Sequence, residues 1–198
     1  MELYSDLDQI LSKKMQVKKL AIEGLLAIYP DQSLDENGRY SYYFDSKKMR
    51  EAGVLPEFVQ EHASCYALQW TVRGLHFQAP PKSQYKLVRV VKGSIWDVCV
   101  DIRENSPTFG MHESIELVAD TWIQLLVPPG LAHGFCTLEN DTEVSFSLTD
   151  YNDKEFLGGL LWSDPKLKIA WPCREKPNYI YKIDQSWPNL KNLISPFR

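Results

Sequence analysis

Residues 86–102 read KLVRVVKGSIWDVCVDI, two valine- and isoleucine-rich runs broken at Lys92-Gly93. β-branched side chains pack well on a pleated surface and Lys-Gly is a turn signal, so the stretch predicts two strands joined as a hairpin. In the second run Asp97, Cys99 and Asp101 fall on one side of the strand, and Trp96, Val98 and Val100 on the other, because side chains alternate along extended backbone. Segments of the same texture stand on both sides: LAIEGLLAIYP (20–30), GRYSYYF (38–44), LQWTVRGLHFQ (68–78), SIELVADTWIQLLVPPG (114–130) and EVSFSLTDY (143–151). Asn105-Ser106-Pro107 and Pro128-Pro129-Gly130 punctuate them. With no helical periodicity between the strands, the pattern predicts an antiparallel sandwich or barrel in preference to a parallel α/β sheet.

The ends differ in texture. Leu3, Leu7, Ile10 and Leu11 recur at three- and four-residue steps behind a capping Ser5 or Asp6, which predicts a short helix in an N-terminal appendage over residues 1–20. Residues 21–198 are expected to form one domain, the last thirty or so of them a covering tail rich in Pro, Lys and Asn.

Composition narrows the function. Of 198 residues 44% are hydrophobic and 12% aromatic, enough for a core, and the net charge of -4 comes from scattered charges. Nothing attracts a phosphate backbone in bulk, so nucleic acid is not expected as a partner. Cys65, Cys99, Cys136 and Cys173 lie far apart, without the close pairs of zinc sites, and read as free thiols in a reducing cytoplasm. The first residues carry acids and no unbroken apolar run, so neither a leader peptide nor a membrane span is expected.

His76 lies between Leu75 and Phe77, a setting that suits a structural histidine as well as a working one. Arg73 and Lys86 nearby, pointed into one cavity, would need an anionic ligand to offset their desolvation. His133 follows the PPGLAHGF turn, where Gly130 and Gly134 permit an unusual backbone path. Two histidines, a lysine and an arginine suit a metal or an anionic substrate. The metal reading is the weaker: His76 has no second histidine at His-x-His spacing, and His112, between Met111 and Glu113, reads as a surface loop.

RGLHFQ (73–78), KLVRVVKGSIWDVCVDIRENSPTFG (86–110), QLLVPPGLAHGF (124–135), TDY (149–151) and LWSDPKLKIAWP (161–172) together resemble the ordered signatures of the dTDP-4-dehydrorhamnose 3,5-epimerase family, over roughly residues 33 to 190. The resemblance implies an all-β, cupin-like jelly roll and a homodimer with N-terminal strands exchanged or packed between subunits. It also implies proton-transfer chemistry without cofactor or metal on a nucleoside diphosphate 4-keto sugar. By the same resemblance His76 is the base and Asp184 in YKIDQSWPNL, four residues before Pro188, is its orienting partner. Lys86 faces the enolate oxygen, and Arg73 holds the diphosphate. Gln60, Gln78, Asp97 and His133 are further pocket positions, whereas Asp164 in WSDP reads as a turn cap.

The departures are as informative. Phe146 stands where the family places its tyrosine acid, and Asn152 where another tyrosine is usual. Phenylalanine cannot donate a proton, which leaves water, Tyr151 or another hydroxyl to reprotonate the enolate, or one epimerisation lost, or the chemistry changed. At the nucleotide end Asn37 occupies the arginine position with Arg39 two residues on, Tyr42 falls where a base-contacting glutamate is expected, and Ile183 beside Lys182 replaces a lysine. Two readings follow: an epimerase at C3, C5 or both of a 4-keto sugar, or a relative that binds a nucleotide sugar without turnover or isomerises it differently.

Overall fold

The computed structural model describes residues 15–174 and 176–198. The expected N-terminal helix, with Leu3, Leu7, Ile10 and Leu11, lies outside them. Within the expected appendage, β1 (Gln16–Lys19) is a strand that pairs with β2 (Leu26–Tyr29). A small ribbon of β3 (Ser33–Asp35) and β4 (Gly38–Tyr40) follows. Next comes α1 (Ser46–Glu51), capped by the Asp45 carboxylate, which accepts from the Lys47 and Lys48 N–H groups. The remaining strands are β5 (Gln60–Tyr66), β6 (Thr71–Gln78), β7 (Lys86–Lys92), β8 (Ser94–Asp101) and β9 (His112–Val118). After them come β10 (Gln124–Val127), β11 (Leu131–Thr137), β12 (Thr142–Leu148), β13 (Leu157–Gly159) and β14 (Tyr179–Ile180).

These strands build two facing sheets, one ordered β1-β2-β10-β7-β12-β5 and the other β13-β6-β11-β8-β9, with β14 added in parallel to β6. This is the expected all-β jelly roll. The expected hairpin over residues 86–102 is not formed. β7 pairs with β10 and β12, while β8 pairs with β11 and β9, so Lys92-Gly93 is a corner between sheets. A turn signal records that the chain bends; which neighbours the strands then take depends on long-range burial.

The alternation read in β8 holds, and it explains why that strand, between β11 and β9, is buried on both faces. Ile95 and Cys99 enter the core between the sheets, beside Val88, Val90, Val144 and Leu148 of the opposite sheet. Val98 and Val100 enter a second core on the outer face of their sheet, under Leu160, Trp162, Leu167 and Trp171 of the C-terminal segment. Burying each such side chain contributes about 1.5–3 kcal/mol, so the tail is held as firmly as a third layer. Asp164 fixes its course as the expected turn cap, accepting from the Lys166 N–H at 2.9 Å and the Leu190 N–H at 2.7 Å.

Candidate active site

The site begins with an irregularity in β6. His133 pairs with His76 and Phe135 with Arg73, so three steps of β6 face two of β11: a one-residue bulge. On a regular strand residues 73 and 76 point to opposite faces; the extra residue restores both to the inside. Glycine makes it possible. Gly74 has φ +102, and a Cβ there would stand 2.7 Å from both Gly134 Cα and the His133 carbonyl oxygen; one on Gly134 would stand 2.4 Å from the Arg73 carbonyl oxygen.

Beneath the bulge a cavity of about 570 Å³ opens between the sheets, its lining including Arg73, His76, Gln78, Lys86, His133 and Phe146. His76 Nε2 lies 2.5 Å from Asp184 Oδ1. The Asp184 side chain is fully buried while His76 keeps 21% exposure, so the ring alone reaches the cavity. Asp184 also accepts from the Gly74 N–H at 3.0 Å and from the Trp187 indole N–H at 3.3 Å. A carboxylate on Nε2 favours the proton there and leaves the lone pair on Nδ1.

The electrostatics agree. Burial lowers the pKa of His76 below its ordinary value, with Lys86 and Arg73 adding to the effect and the hydrogen bond to Asp184 opposing it. For Asp184 burial works upward, but the bonds from His76 and Gly74 and the Arg73 charge outweigh it, and the carboxyl is held low. Lys86 extends its ammonium toward the His76 carbonyl oxygen, 3.4 Å away. Burial brings its pKa down to about 8, against the opposing pull of Cys99 and Asp97. Arg73 lies with its guanidinium carbon 4.5 Å over the ring of Tyr181.

Asp97, Cys99 and His133 bring ligand atoms within 4.8 Å of one another, the spacing of a metal site. The chemistry argues otherwise. His133 Nε2 already bonds both Asp97 oxygens, at 2.8 and 3.0 Å. Burial raises the Cys99 thiol well above its usual range, away from the thiolate a metal needs. The Lys86 ammonium, coupled to the same group, supplies the compensating cation in a cation's place.

Other expected residues fall elsewhere. Asp97 is buried behind His133. Gln60 lines a separate depression of about 460 Å³ with Tyr43 and Arg89, although its side-chain oxygen accepts from the Asn152 N–H at 3.0 Å. Tyr151 is 61% exposed, and what it lends the site is a backbone carbonyl accepting from Gln78. Arg39 stacks on Trp122 at 4.9 Å and donates to the Asp120 carbonyl. Conversely His62, Tyr181 and Trp187 were not expected: the first two line the cavity, and Trp187 packs edge-on to His76 with ring centroids 6.2 Å apart. For His62 the usable signal is the alternation of His62, Ser64 and Tyr66 along β5; for Trp187 it is the aromatic three residues after Asp184.

Fold and site together define a cupin-like jelly roll with a His–Asp pair and a buried lysine around one open cavity. Residues 19–192 match the family model described as dTDP-4-dehydrorhamnose 3,5-epimerase. The enzyme of that name from Sinorhizobium fredii is 39% identical over 186 residues, 93% of this chain and 94% of its own. The crystal structure of the Bacillus anthracis enzyme, with TDP and PPi bound, superposes with a TM-score of 0.85 at 38% identity, covering 88% of this chain and 99% of that one. The Legionella pneumophila enzyme, in complex with dTDP-4-keto-L-rhamnose, gives 0.84 at 35% identity, covering 91% and 95%. The chain belongs to the dTDP-4-dehydrorhamnose 3,5-epimerase family, isomerases that act without a cofactor.

Proposed function

We propose that this chain inverts C3, C5 or both in a nucleoside diphosphate 4-keto-6-deoxy sugar, with His76 as the base. The observation that carries this reading is the 2.5 Å contact of His76 with buried Asp184 at the edge of a cavity that Lys86 also lines. A proton on carbon next to a ketone can be removed when the developing enolate is stabilised. His76, neutral at pH 7, takes it on Nδ1; Asp184 orients the ring and stabilises the imidazolium. Lys86 stabilises the enolate oxygen, and Arg73 with Tyr181 receives the diphosphate. Gln78 and His133 shape the sugar pocket. The ligand of the Legionella pneumophila relative supports this substrate class.

Two finer readings go with it. The protein acts as a cytoplasmic homodimer; among the described residues no helix is long and apolar enough to cross a membrane, and the exposed rings of Tyr40, Tyr42 and Phe44 suit a subunit contact. Phe146 favours a second reading, inversion at one carbon alone or binding without turnover, because its ring donates no proton. Deuterium incorporation from solvent, read together with inversion, decides: label with inversion at two carbons marks the double epimerase, label with inversion at one the single-site enzyme, and neither label nor inversion a binding protein.

A further inference from the structure

Inversion needs two proton carriers, since a proton taken from one face of the enolate must be replaced from the other. His76 stands on β6, in the second sheet, so the donor belongs on the opposite wall, built by β5, β7 and β12 of the first. Phe146 occupies that wall and has nothing to donate. Its register partner on β5 is His62, whose imidazole stacks on the phenyl ring with centroids 5.1 Å and planes 16° apart. Phe146 is itself wedged edge-on against His133, centroids 6.3 Å apart, so the stack holds the His62 ring at the cavity it lines.

We propose that His62 is a catalytic residue, the proton donor to the face of the enolate opposite His76. The proposal rests on the epimerase reading above. In the step an imidazolium N–H of His62 breaks, the enolate double-bond pair forms the new C–H bond, and the C4 carbonyl reforms. His62 is left neutral and recharges from solvent, to which its exposed edge gives access, while His76 releases its proton the same way. Lys86 on β7 and Glu61, next to His62 on β5, are the charges that act on His62; Arg73, His76 and His133 line the same cavity. Burial first and then Lys86 lower its pKa, against Glu61, which makes the protonated ring a stronger acid but the minor form at pH 7, so inversion by this route is faster on the acid side of neutrality.

The wall holds two other hydroxyls. Ser64 is far too weak an acid to reprotonate carbon from its resting state. Tyr66 sits two strand repeats along β5, where its ring packs edge-on to Phe135, centroids 5.4 Å apart, against the core between the sheets.

The test follows inversion and isotope exchange separately, by NMR in deuterium oxide, on the full chain with dTDP-4-keto-6-deoxyglucose. His62→Asn should lower inversion about 10²- to 10⁴-fold while deuterium exchange at the carbon served by His76 stays within a few-fold of wild type, because His76 still removes and returns a proton on its own face. Phe146→Tyr in the His62→Asn background should restore inversion at least in part by placing a phenol on the same wall. Inversion unchanged in His62→Asn, inversion and exchange lost in equal measure, or inversion lost in Tyr66→Phe with His62→Asn unaffected would each overturn the proposal. Wild-type protein that neither exchanges nor inverts the sugar overturns the epimerase reading beneath it, a failure visible without any variant.

Discussion

Asp184 meets His76 across 108 residues of sequence, its Oδ1 2.5 Å from the ring nitrogen. The carboxylate arrives from the C-terminal segment, whose apolar residues pack on the outer face of the second sheet. Packing of the tail thereby sets the geometry of the proposed base and its partner, and loosening the tail should cost activity before it costs the fold.

Asp184→Asn keeps the shape and removes the charge, so the ring loses its preferred tautomer and its stabilised imidazolium. Turnover should fall about 10²- to 10⁴-fold with KM little changed. Asp184→Ala also strands the buried Gly74 N–H, at about 1–3 kcal/mol, and should lower the melting temperature as well.

The pH profile should have two limbs of known direction. Activity falls on the acid side as His76 gains a proton, and since its pKa lies below the ordinary 6.5, that limb lies below pH 6.5. On the alkaline side inversion falls first, below pH 6.5, as His62 loses the proton it must donate, whereas exchange at the carbon served by His76 falls near pH 8 as Lys86 loses its charge. Stability runs the other way there: between pH 8 and 10.5 the unfolded chain binds the Lys86 proton that the folded chain has released, so this group makes the fold more stable as pH rises. Parallel profiles of kcat/KM and of unfolding free energy check both signs.

Asp101 anchors the loop after β8, accepting from Arg103, Ser106 and Thr108. Burial alone would raise its pKa, but these bonds bring it down to about 2 from 3.8. Its contribution, about 2 kcal/mol, is present above pH 4 and lost as pH falls through 2. Asp101→Asn should therefore lower stability at pH 7 by about that amount and flatten the acid limb of an unfolding titration.

Gly134→Ala drives a methyl onto the Arg73 carbonyl oxygen, 2.4 Å from the new carbon. Backbone yields less readily than a side chain, so a loss of about 1–3 kcal/mol is expected. Activity should fall further than stability explains, because the bulge is what turns Arg73 and His76 to the same side.

The two-sheet architecture is legible in alternation: Cys99 on one side of β8 and Val98 on the other foretell the two cores they enter. Partners are not legible, because Lys92-Gly93 reads the same whether it closes a hairpin or turns a corner between sheets. Periodicity alone also misplaces the site, since Arg73 and His76 have opposite parity and only a bulge, visible in the register with β11, reconciles them. Resemblance to the family singles out His76, Lys86 and Asp184, which the fold brings together around one cavity. It passed over His62, whose meaning depends on standing opposite Phe146, a pairing that sequence order hides.

In the proposed reaction His76 removes a proton from carbon next to the ketone. Wild-type protein and His76→Ala, incubated in deuterium oxide with dTDP-4-keto-6-deoxyglucose and followed by NMR, test it directly. Deuterium should enter beside the ketone with wild type, at a rate at least about 10²-fold lower with the variant; exchange by His76→Ala at the wild-type rate would contradict this role for His76.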